Sequence, residues 1–186
     1  MKVILISGKA RHGKDTVATT IANVLERDGH KVLTTHYADL LKYICKTFFF
    51  WNGDKDDAGR TLLQRVGTNT IRAKQPDYWV RFIADILDFF PNEWDYVLIP
   101  DCRFPNEIDE IKNRGFDTIH VRVVRDNFDS GLTKEQLAHP SETALDGVVP
   151  DICIKNNGSL DALENNIKTW IGEKLYEQER NENKSY

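Results

Sequence analysis

Nine consecutive residues near the start of the sequence have the types and the spacing of a phosphate-binding loop. The first seven follow the pattern G-x-x-x-x-G-K, and the nine are Gly8, Lys9, Ala10, Arg11, His12, Gly13, Lys14, Asp15 and Thr16. In such a loop, glycines let backbone N–H groups curl around a triphosphate, the following helix adds partial positive charge, and the lysine reaches the outer phosphates. We therefore assign all nine residues to ATP binding, and Lys14 to catalysis as well.

The position of this motif in the sequence makes it more specific. A bare G-x-x-x-x-G-K arises by accident in roughly a few per cent of chains of this length. Here the motif lies between a continuous apolar run, residues 3–7, and an amphipathic pattern that begins at Val17. A strand before the motif and a helix after it are the context that confirms a phosphate loop. The alternative is an ordinary glycine-rich turn between a strand and a helix.

Three oxygen-bearing side chains are candidate ligands of Mg²⁺. Asp15 occupies the position where Ser or Thr is usual, and a carboxylate beside a polyphosphate is repulsive unless a cation lies between them. Thr16 offers a hydroxyl instead, and Asp101 follows a predicted strand at the place where a second metal anchor belongs. Each carboxylate also has an alternative role without a metal. Asp15 is an acidic residue in the first turn of a helix, where the helix dipole favours it, and Asp101 is a turn or capping residue.

Arginines are the remaining candidates for chemistry, because a protein that handles two phosphorylated substrates must gather positive charge locally. The candidates are Arg65, Arg72, Arg81, Arg103, Arg122 and Arg125. Arg103 follows the predicted carboxyl edge of the sheet, and Arg125 opens a polar segment suited to close over phosphates. We therefore assign Arg103 and Arg125 to stabilising charge in the transition state.

The elements that must position these residues follow from hydrophobic patterning. Predicted strands cover residues 3–7, 31–37, 96–99, 118–124 and 152–154. Predicted helices cover a segment from about residue 17 to Gly29 and residues 38–50, 60–74, 79–90, 108–113 and 160–171. Residues 126–140 are polar, and we expect them to be irregular. Strands that alternate with helices predict an α/β fold with a parallel sheet covered by helices on both faces. With a phosphate loop after the first strand, this is the three-layer P-loop kinase fold, and its ligands belong at the carboxyl ends of the strands.

Composition limits the classes of protein that this sequence fits. A chain of 186 residues with a net charge of −4 predicts one compact domain, 1–186, and disfavours duplex nucleic acid as a partner. Three cysteines without Cys-x-x-Cys spacing indicate neither a disulfide framework nor a zinc site. Neither a signal peptide nor a membrane span is predicted, so we expect a cytoplasmic protein. The tail from residue 177 to 186 is expected to fray at its end.

Several segments beyond the phosphate loop resemble the phage-type deoxynucleoside monophosphate kinases, and the similarity runs through most of the chain. The matching pieces are residues 13–16, Tyr37-Ala38-Asp39 with Lys42, Leu63-Gln64 with Gly67-Thr68 and Arg72, Asp101-x-Arg103-Phe104-x-Asn106-Glu107, His139-x-Ser141-Glu142, and Ile154-x-Asn156-Asn157-Gly158. In that family an aspartate follows the loop lysine, so Asp15 departs from the general pattern but agrees with the narrower one.

The resemblance implies transfer of the γ-phosphoryl group of ATP to a (deoxy)nucleoside 5′-monophosphate, with Mg²⁺ required. It implies that Lys42, Arg72 and Arg103 contact the acceptor phosphate, and it places Asp39, Gln64 and Glu107 on the same acceptor side. Trp79 either stacks on the acceptor base or packs in the core, and core packing is favoured. Asn156 resembles an adenine-side contact, although an Asn-Asn-Gly turn explains it equally well. His139 and Glu142 are weaker candidates for shaping the site.

The same resemblance predicts two sub-regions and leaves other functions open. Residues 38–94 are expected to form a helical insertion that binds the acceptor, and residues 126–140 a lid-like segment. Other small-molecule P-loop kinases, such as those of dephospho-coenzyme A or phosphomevalonate, are one alternative. A nucleotide-dependent switch is another, although no guanine-reading Asn-Lys-x-Asp occurs. The sequence leaves open the base preference, the sugar preference and the number of subunits, and a homodimer is one option. If the protein is encoded by a phage, we expect it to act in the host cytoplasm.

Overall fold

The computed structural model describes residues 1–54 and 56–176, and these form a five-stranded sheet in which every paired strand runs parallel. The strands are Lys2–Ser7 (β1), Val32–Thr34 (β2), Tyr96–Ile99 (β3), Asp117–Val124 (β4) and Ile152–Lys155 (β5). Their order across the sheet is β2-β3-β1-β4-β5. In the register of the central strands, Val3 lies opposite Val97 of β3 and Thr118 of β4. All carboxyl ends therefore meet at one edge, as predicted.

Helices cover both faces of this sheet. The α-helices of the described residues are Lys14–Arg27 (α1), Ala38–Phe49 (α2), Asp57–Gln64 (α3), Tyr78–Phe89 (α4), Pro105–Asn113 (α5), Lys134–Leu137 (α6), Pro140–Thr143 (α7) and Leu160–Trp170 (α8). Two of them continue in wider, π-type turns, α3 over Arg65–Arg72 and α8 over Ile171–Tyr176. None of the helices within the described residues is long and apolar enough to cross a membrane.

The apolar run of β1 is explained by its place between two cores. Ile4 and Ile6 pack on one face with residues of α1 and α8, whereas Val3 and Leu5 pack on the other face with residues of α4 and α5. All four side chains are fully buried. Because alternate residues of a strand point to opposite faces, a strand buried on both faces must be apolar at every position. The three-layer fold predicted from the sequence is confirmed, and the phosphate loop leaves a strand that is buried at every position.

The regular helix predicted over residues 60–74 is wrong in its start and in its geometry. Helix α3 begins at Asp57, where the Asp56 carboxylate caps it by accepting from the N–H of Gly59 at 2.7 Å. From Arg65 the chain follows π-type turns. A Cβ atom on Gly67 would lie 2.5 Å from Cδ2 of Leu41, so the glycine lets these turns pack directly against α2. Composition favours a helix here, but it does not distinguish α-type from π-type turns.

The segment 126–140, predicted to be irregular, contains one helical turn. Thr133 and Gln136 form a reciprocal capping box around α6, in which Thr133 Oγ1 accepts from the N–H of Gln136 at 3.3 Å and Gln136 Oε1 accepts from the N–H of Thr133 at 3.0 Å. The T-x-x-Q spacing is a sequence signal for this helix start. The bounds of other elements also differ from prediction, most clearly in β2, which is shorter, and in α5, which begins three residues earlier, at Pro105. Residues 177–186, expected to fray, lie outside the described residues.

Candidate active site

The phosphate loop, residues 8–16, has the backbone geometry that its glycines predict. Gly8 and Gly13 have φ angles of 144° and 89°, which side chains rarely allow. A Cβ atom at Gly8 would lie 2.4 Å from the carbonyl oxygen of Val123, and one at Gly13 would lie 2.3 Å from Nδ2 of Asn156. Gly8 is therefore required by space as well as by conformation, whereas Gly13 is required by its conformation and lies against the Asn156 side chain. Gly13 directly precedes α1, so the loop ends at the positive end of that helix.

Lys14 points across the loop and is almost fully buried, with 8% of the residue exposed. Its Nζ atom donates to the carbonyl oxygens of Gly8 and Lys9 at 2.9 and 3.0 Å. Burial, and then the nearby Arg103 guanidinium, lower the pKa of Lys14 to about 8. The sequence assigned this lysine to catalysis, and the structure holds it as a desolvated cation inside an anion-binding loop.

Three contacts from distant parts of the chain support the loop. The side-chain amide of Asn156 donates to the carbonyl oxygen of His12 at 3.0 Å, and the N–H of Arg125 donates to Nδ1 of His12 at 3.2 Å. Arg11, which has a positive φ of 61°, donates to the carbonyl oxygen of Ser130 at 2.6 Å. Burial lowers the pKa of His12, which favours a neutral ring that accepts a hydrogen bond. Asn156, assigned from the sequence to ATP binding, thus contacts the loop itself.

The three candidate metal ligands differ in their surroundings. Both carboxylate oxygens of Asp101 accept backbone N–H groups at the start of α2, from Tyr37 at 2.9 Å and from Ala38 at 3.0 Å. Burial raises the pKa of Asp101, and these N–H groups oppose the rise. Asp101 therefore has the capping role that the sequence left as its alternative, although on a helix distant in sequence. The Asp15 side chain is 84% exposed, and Thr16 is exposed beside it at the mouth of the loop.

Within the described residues, no three His, Cys, Asp or Glu side chains are grouped to hold a metal ion. The oxygen atoms of Asp15, Thr16 and Asp101 nevertheless suit Mg²⁺, which prefers oxygen ligands and often keeps several waters while it binds through one or two carboxylates and the substrate phosphates. The residues present therefore fit such an ion.

Arg103 lies in the wall between two cavities. One cavity of about 280 Å³, here called the loop cavity, is lined by residues that include Gly8, Lys9, Arg103 and Glu142. A second of about 240 Å³, here called the insertion cavity, is lined by residues that include Arg72, Trp79, Asp101, Arg103 and Glu107. Arg103 donates from Nη1 to Glu142 Oε1 at 2.5 Å and to the carbonyl oxygen of Ser141 at 3.1 Å. Arg103 thus lines both cavities, and its guanidinium group contacts Ser141 and Glu142 of the loop cavity.

An ion pair between Arg72 and Glu107 forms part of the insertion cavity. Arg72 Nη2 donates to Glu107 Oε1 at 2.7 Å, and the Arg72 guanidinium stacks on the Phe104 ring at 4.1 Å. Glu107 Oε2 accepts the N–H groups of Arg103 and Phe104 at 2.6 and 3.0 Å. Burial raises the pKa of Glu107, and Arg72 opposes that rise. Glu107 therefore fixes the positions of both arginines.

Trp79 has the core role that the sequence favoured. It is 4% exposed, and its indole N–H donates to the carbonyl oxygen of Gly67 at 3.2 Å. It belongs to the core on the face of Val3 and Leu5, and one part of it reaches the insertion cavity. The indole therefore shapes the wall of this cavity from within the core.

Eleven assigned residues lie outside the lining of both cavities in the described structure, and they are Ala10, Arg11, Gly13, Lys14, Asp15, Thr16, Asp39, Lys42, Gln64, Arg125 and Asn156. Lys42 pairs with Asp39 at 2.8 Å, and Gln64 Nε2 lies 2.8 Å from His139 Nε2. Arg125 stacks on the Phe128 ring at 4.1 Å, at the start of the predicted lid segment. In the described structure these side chains are engaged with other protein groups.

Sequence reasoning missed His36, which joins two assigned residues. Its Nε2 atom lies 3.2 Å from Asp15 Oδ1, and its Nδ1 atom lies 3.3 Å from Asp39 Oδ2. The residue precedes the matched Tyr37-Ala38-Asp39, so its place after β2, at the carboxyl edge of the sheet, was the available signal. It links the phosphate loop to the acceptor side.

The fold and the loop together define a P-loop kinase fold, and solved structures of similar shape agree. The chain resembles an APS kinase of Mycobacterium tuberculosis in complex with AMPPNP and APS, with a TM-score of 0.54 and 12% identity over 92% of this chain and 97% of that one. It also resembles a sugar kinase from Janibacter sp. HTCC2649, with a TM-score of 0.55 and 13% identity over 92% and 95% of the two chains. At these identities the likeness shows the fold alone.

Sequence comparison identifies the family. The family model described as deoxynucleotide monophosphate kinase matches residues 35–167, and the chain belongs to that family. The deoxynucleotide monophosphate kinase of Enterobacteria phage T4 is 37% identical over 114 residues, which are 60% of this chain and 44% of that protein. The corresponding protein of Escherichia phage RB69 is 32% identical over 111 residues, 59% of this chain and 43% of that protein. The chain thus matches less than half the length of either relative.

Proposed function

We propose that this protein transfers the γ-phosphoryl group of ATP to a (deoxy)nucleoside 5′-monophosphate and so forms the diphosphate. The observation that carries the proposal is the place of Arg103, in the wall shared by the loop cavity and the insertion cavity. A phosphoryl transfer between two phosphorylated substrates needs two adjoining sites and a cation at their boundary. The family membership of the chain supports the nucleotide monophosphate as acceptor.

The phosphate loop would hold the triphosphate of ATP through its backbone N–H groups. Lys14, a buried cation within the loop, would turn from the carbonyl oxygens of Gly8 and Lys9 towards the outer phosphates. Such a charge stabilises the transferring group because the surroundings exclude water and strengthen the interaction. Asn156 and Arg125 act on this site by fixing His12 and hence the shape of the loop.

The insertion cavity would hold the acceptor phosphate. Arg72 and Arg103 supply positive charge there, and Glu107 fixes both of them. The segment 38–94 contributes Gly67, Thr68, Arg72 and Trp79 to the lining, which supports the proposal that it binds the acceptor. Asp39, Lys42 and Gln64 lie nearby, and they would reach the acceptor only if the insertion closes over it.

Asp15, Thr16 and Asp101 would hold Mg²⁺, which would supply neutralising charge to the phosphates. The lid segment, residues 126–140, would cover the triphosphate, since Ser130 already contacts the loop through Arg11. A place in the cytoplasm, where ATP and nucleotides are available, fits this activity.

The proposal is tested by measuring ADP formation from ATP and Mg²⁺ with each common nucleoside and deoxynucleoside monophosphate in turn. Dephospho-coenzyme A and phosphomevalonate belong in the same panel as controls. We expect turnover with one or more deoxynucleoside monophosphates and none with these two compounds. Turnover only with a control acceptor would overturn the choice of substrate, and slow hydrolysis that no acceptor changes would indicate a nucleotide-dependent switch.

A further inference from the structure

The carboxylate of Glu142 lies between the phosphate loop and Arg103. Its Oε2 atom accepts the N–H of Ala10 at 2.7 Å, and its Oε1 atom accepts Nη1 of Arg103 at 2.5 Å. The side chain is 8% exposed, and it lines the loop cavity. A buried carboxylate therefore bridges a backbone donor of the loop and the arginine that lines both cavities.

These donors are of the kind that bind phosphate. Backbone N–H groups of a phosphate loop and arginine guanidinium groups recognise phosphate oxygens, and a carboxylate offers them the same charge and the same acceptor atoms. The neighbouring cations are also engaged by the protein, because Lys9 Nζ donates to the carbonyl oxygen of Glu142 at 2.5 Å and contacts the Asp146 carboxylate. The loop thus has internal partners for several groups that a polyphosphate would use.

We propose that Glu142 is an internal anion that occupies the place of a substrate phosphate in the free protein, and that phosphate binding displaces it. This inference rests on the proposed function, because it concerns the regulation of the same site. A phosphate and the carboxylate compete for the N–H of Ala10 and for Arg103, and two anions at that distance repel each other. Glu142 must therefore move away when a polyphosphate enters the loop.

The displacement links the loop to the neighbouring segment. Glu142 belongs to the short helix α7, whose start is held by His139, and His139 contacts Gln64 of the insertion. Loss of the contacts of the Glu142 carboxylate would leave α7 attached to Arg103 and to the loop only through the carbonyl oxygens of Ser141 and Glu142. Arg103 Nη1 would then lose its carboxylate partner and could bind phosphate in the same step that weakens the hold on α7.

A purely structural role for Glu142 makes the opposite prediction. If the carboxylate only holds Arg103 and the loop in place, its loss lowers both the stability of the protein and its affinity for polyphosphate. If it competes with phosphate, its loss lowers stability but raises the affinity. The two readouts together separate the two roles.

The experiment measures binding of inorganic tripolyphosphate by calorimetry to the wild type and to Glu142→Gln, with the melting temperature of each unliganded protein. The substitution keeps the shape of the side chain and removes its charge. We expect tripolyphosphate to bind about tenfold more tightly to the variant, because the fraction of protein competent to bind rises. The unliganded variant should melt at a lower temperature than the wild type.

The matched control is Glu26→Gln, which makes the same chemical change on the exposed surface of α1, near the end far from the loop. It shows what the change in net charge contributes by itself, and we expect it to bind tripolyphosphate as the wild type does. If Glu142→Gln does not fold, Glu142→Asp replaces it, since the shorter carboxylate reaches its two donors less well. That variant should also bind more tightly, by a smaller factor.

An affinity of Glu142→Gln or of its replacement that is equal to or weaker than that of the wild type overturns the inference. A gain matched by Glu26→Gln overturns it too, because net charge would then explain the effect. Tripolyphosphate binding needs no acceptor and no transfer. The expected gain in affinity could therefore be observed even if the protein phosphorylates no monophosphate. That pair of results would disprove the proposed function but would support the role of Glu142 as an internal anion.

Discussion

Glu107 accepts a hydrogen bond from Arg72 at 2.7 Å, and the two side chains are only 2% and 17% exposed. The same carboxylate also accepts the N–H groups of Arg103 and Phe104. The buried Glu107 carboxylate thus fixes both the Arg72 side chain and the backbone of Arg103. A buried charge with several partners is costly to remove because each partner loses its compensation.

Glu107→Gln should lower the free energy of unfolding by about 3–5 kcal/mol, because it leaves Arg72 buried without its counter-charge. Chemical denaturation measures this loss. Glu164→Gln is the control, since Glu164 pairs with Arg27 and Lys168 on the surface and should contribute much less. Equal losses in the two variants would contradict the role given to Glu107.

Trp79→Ala should lower the free energy of unfolding by about 3–5 kcal/mol, because the indole fills the core beside the insertion cavity. Trp79→Phe keeps most of the apolar volume, so its loss should be smaller. The KM for the acceptor should change little in the phenylalanine variant. A large rise in that KM, in a variant that remains folded, would assign Trp79 to stacking on the base instead.

The activity should fall at alkaline pH because burial lowers the pKa of Lys14 to about 8. The protonated lysine is the form that attracts phosphate, so kcat/KM for ATP should decline by up to about tenfold for each pH unit above that value. Lys14→Arg keeps its charge throughout this range. The pH profile of Lys14→Arg should lack the decline, whatever the absolute activity of the variant. A wild-type profile that is flat to pH 9.5 would contradict the assignment of Lys14 to phosphate binding.

His120 should make the protein less stable in mild acid. Its Nε2 atom lies 2.7 Å from Ser7 Oγ, and burial lowers the pKa of the ring from 6.5 to about 4. The unfolded chain therefore takes up a proton at a higher pH than the folded protein. This contribution to stability is complete above pH 6.5 and is lost as the pH falls towards 4, by up to about 3 kcal/mol.

Denaturation of the wild type and of His120→Gln between pH 7.5 and 4 measures this contribution. The difference between the two curves isolates the histidine from the carboxylates that also titrate there. We expect the wild type to lose more stability than the variant over this range. Parallel curves would show that His120 does not titrate in the predicted manner.

The sequence was sufficient for the features that depend on neighbouring residues. The apolar run of β1, the glycine spacing of the loop and the amphipathic pattern of α1 are all local, and the structure confirms that they follow one another in that order. The parallel sheet follows from the alternation of strands and helices. Arg103 was predicted at the carboxyl edge for the same reason, because it comes four residues after the end of a strand.

The sequence was insufficient where residues meet across the fold. Glu142 contacts Ala10 across 132 positions, and Asn156 contacts His12 across 144. No local pattern shows which carboxylate reaches the loop, since that depends on how β4, β5 and the segment between them pack. Asp101 likewise caps a helix 63 positions earlier in the chain, through Ala38. By contrast, helix α6 was missed although its Thr133 and Gln136 spacing was visible.

The most direct test of the account is transfer of radiolabel from γ-labelled ATP to a deoxynucleoside monophosphate, for the wild type and for Lys14→Ala. The central claim is that the phosphate loop and its lysine carry the transferring group. We predict labelled diphosphate with the wild type and a rate lower by about 100-fold or more in the folded variant. Transfer at a near-normal rate by folded Lys14→Ala, or no labelled diphosphate from the wild type with any monophosphate, would contradict it.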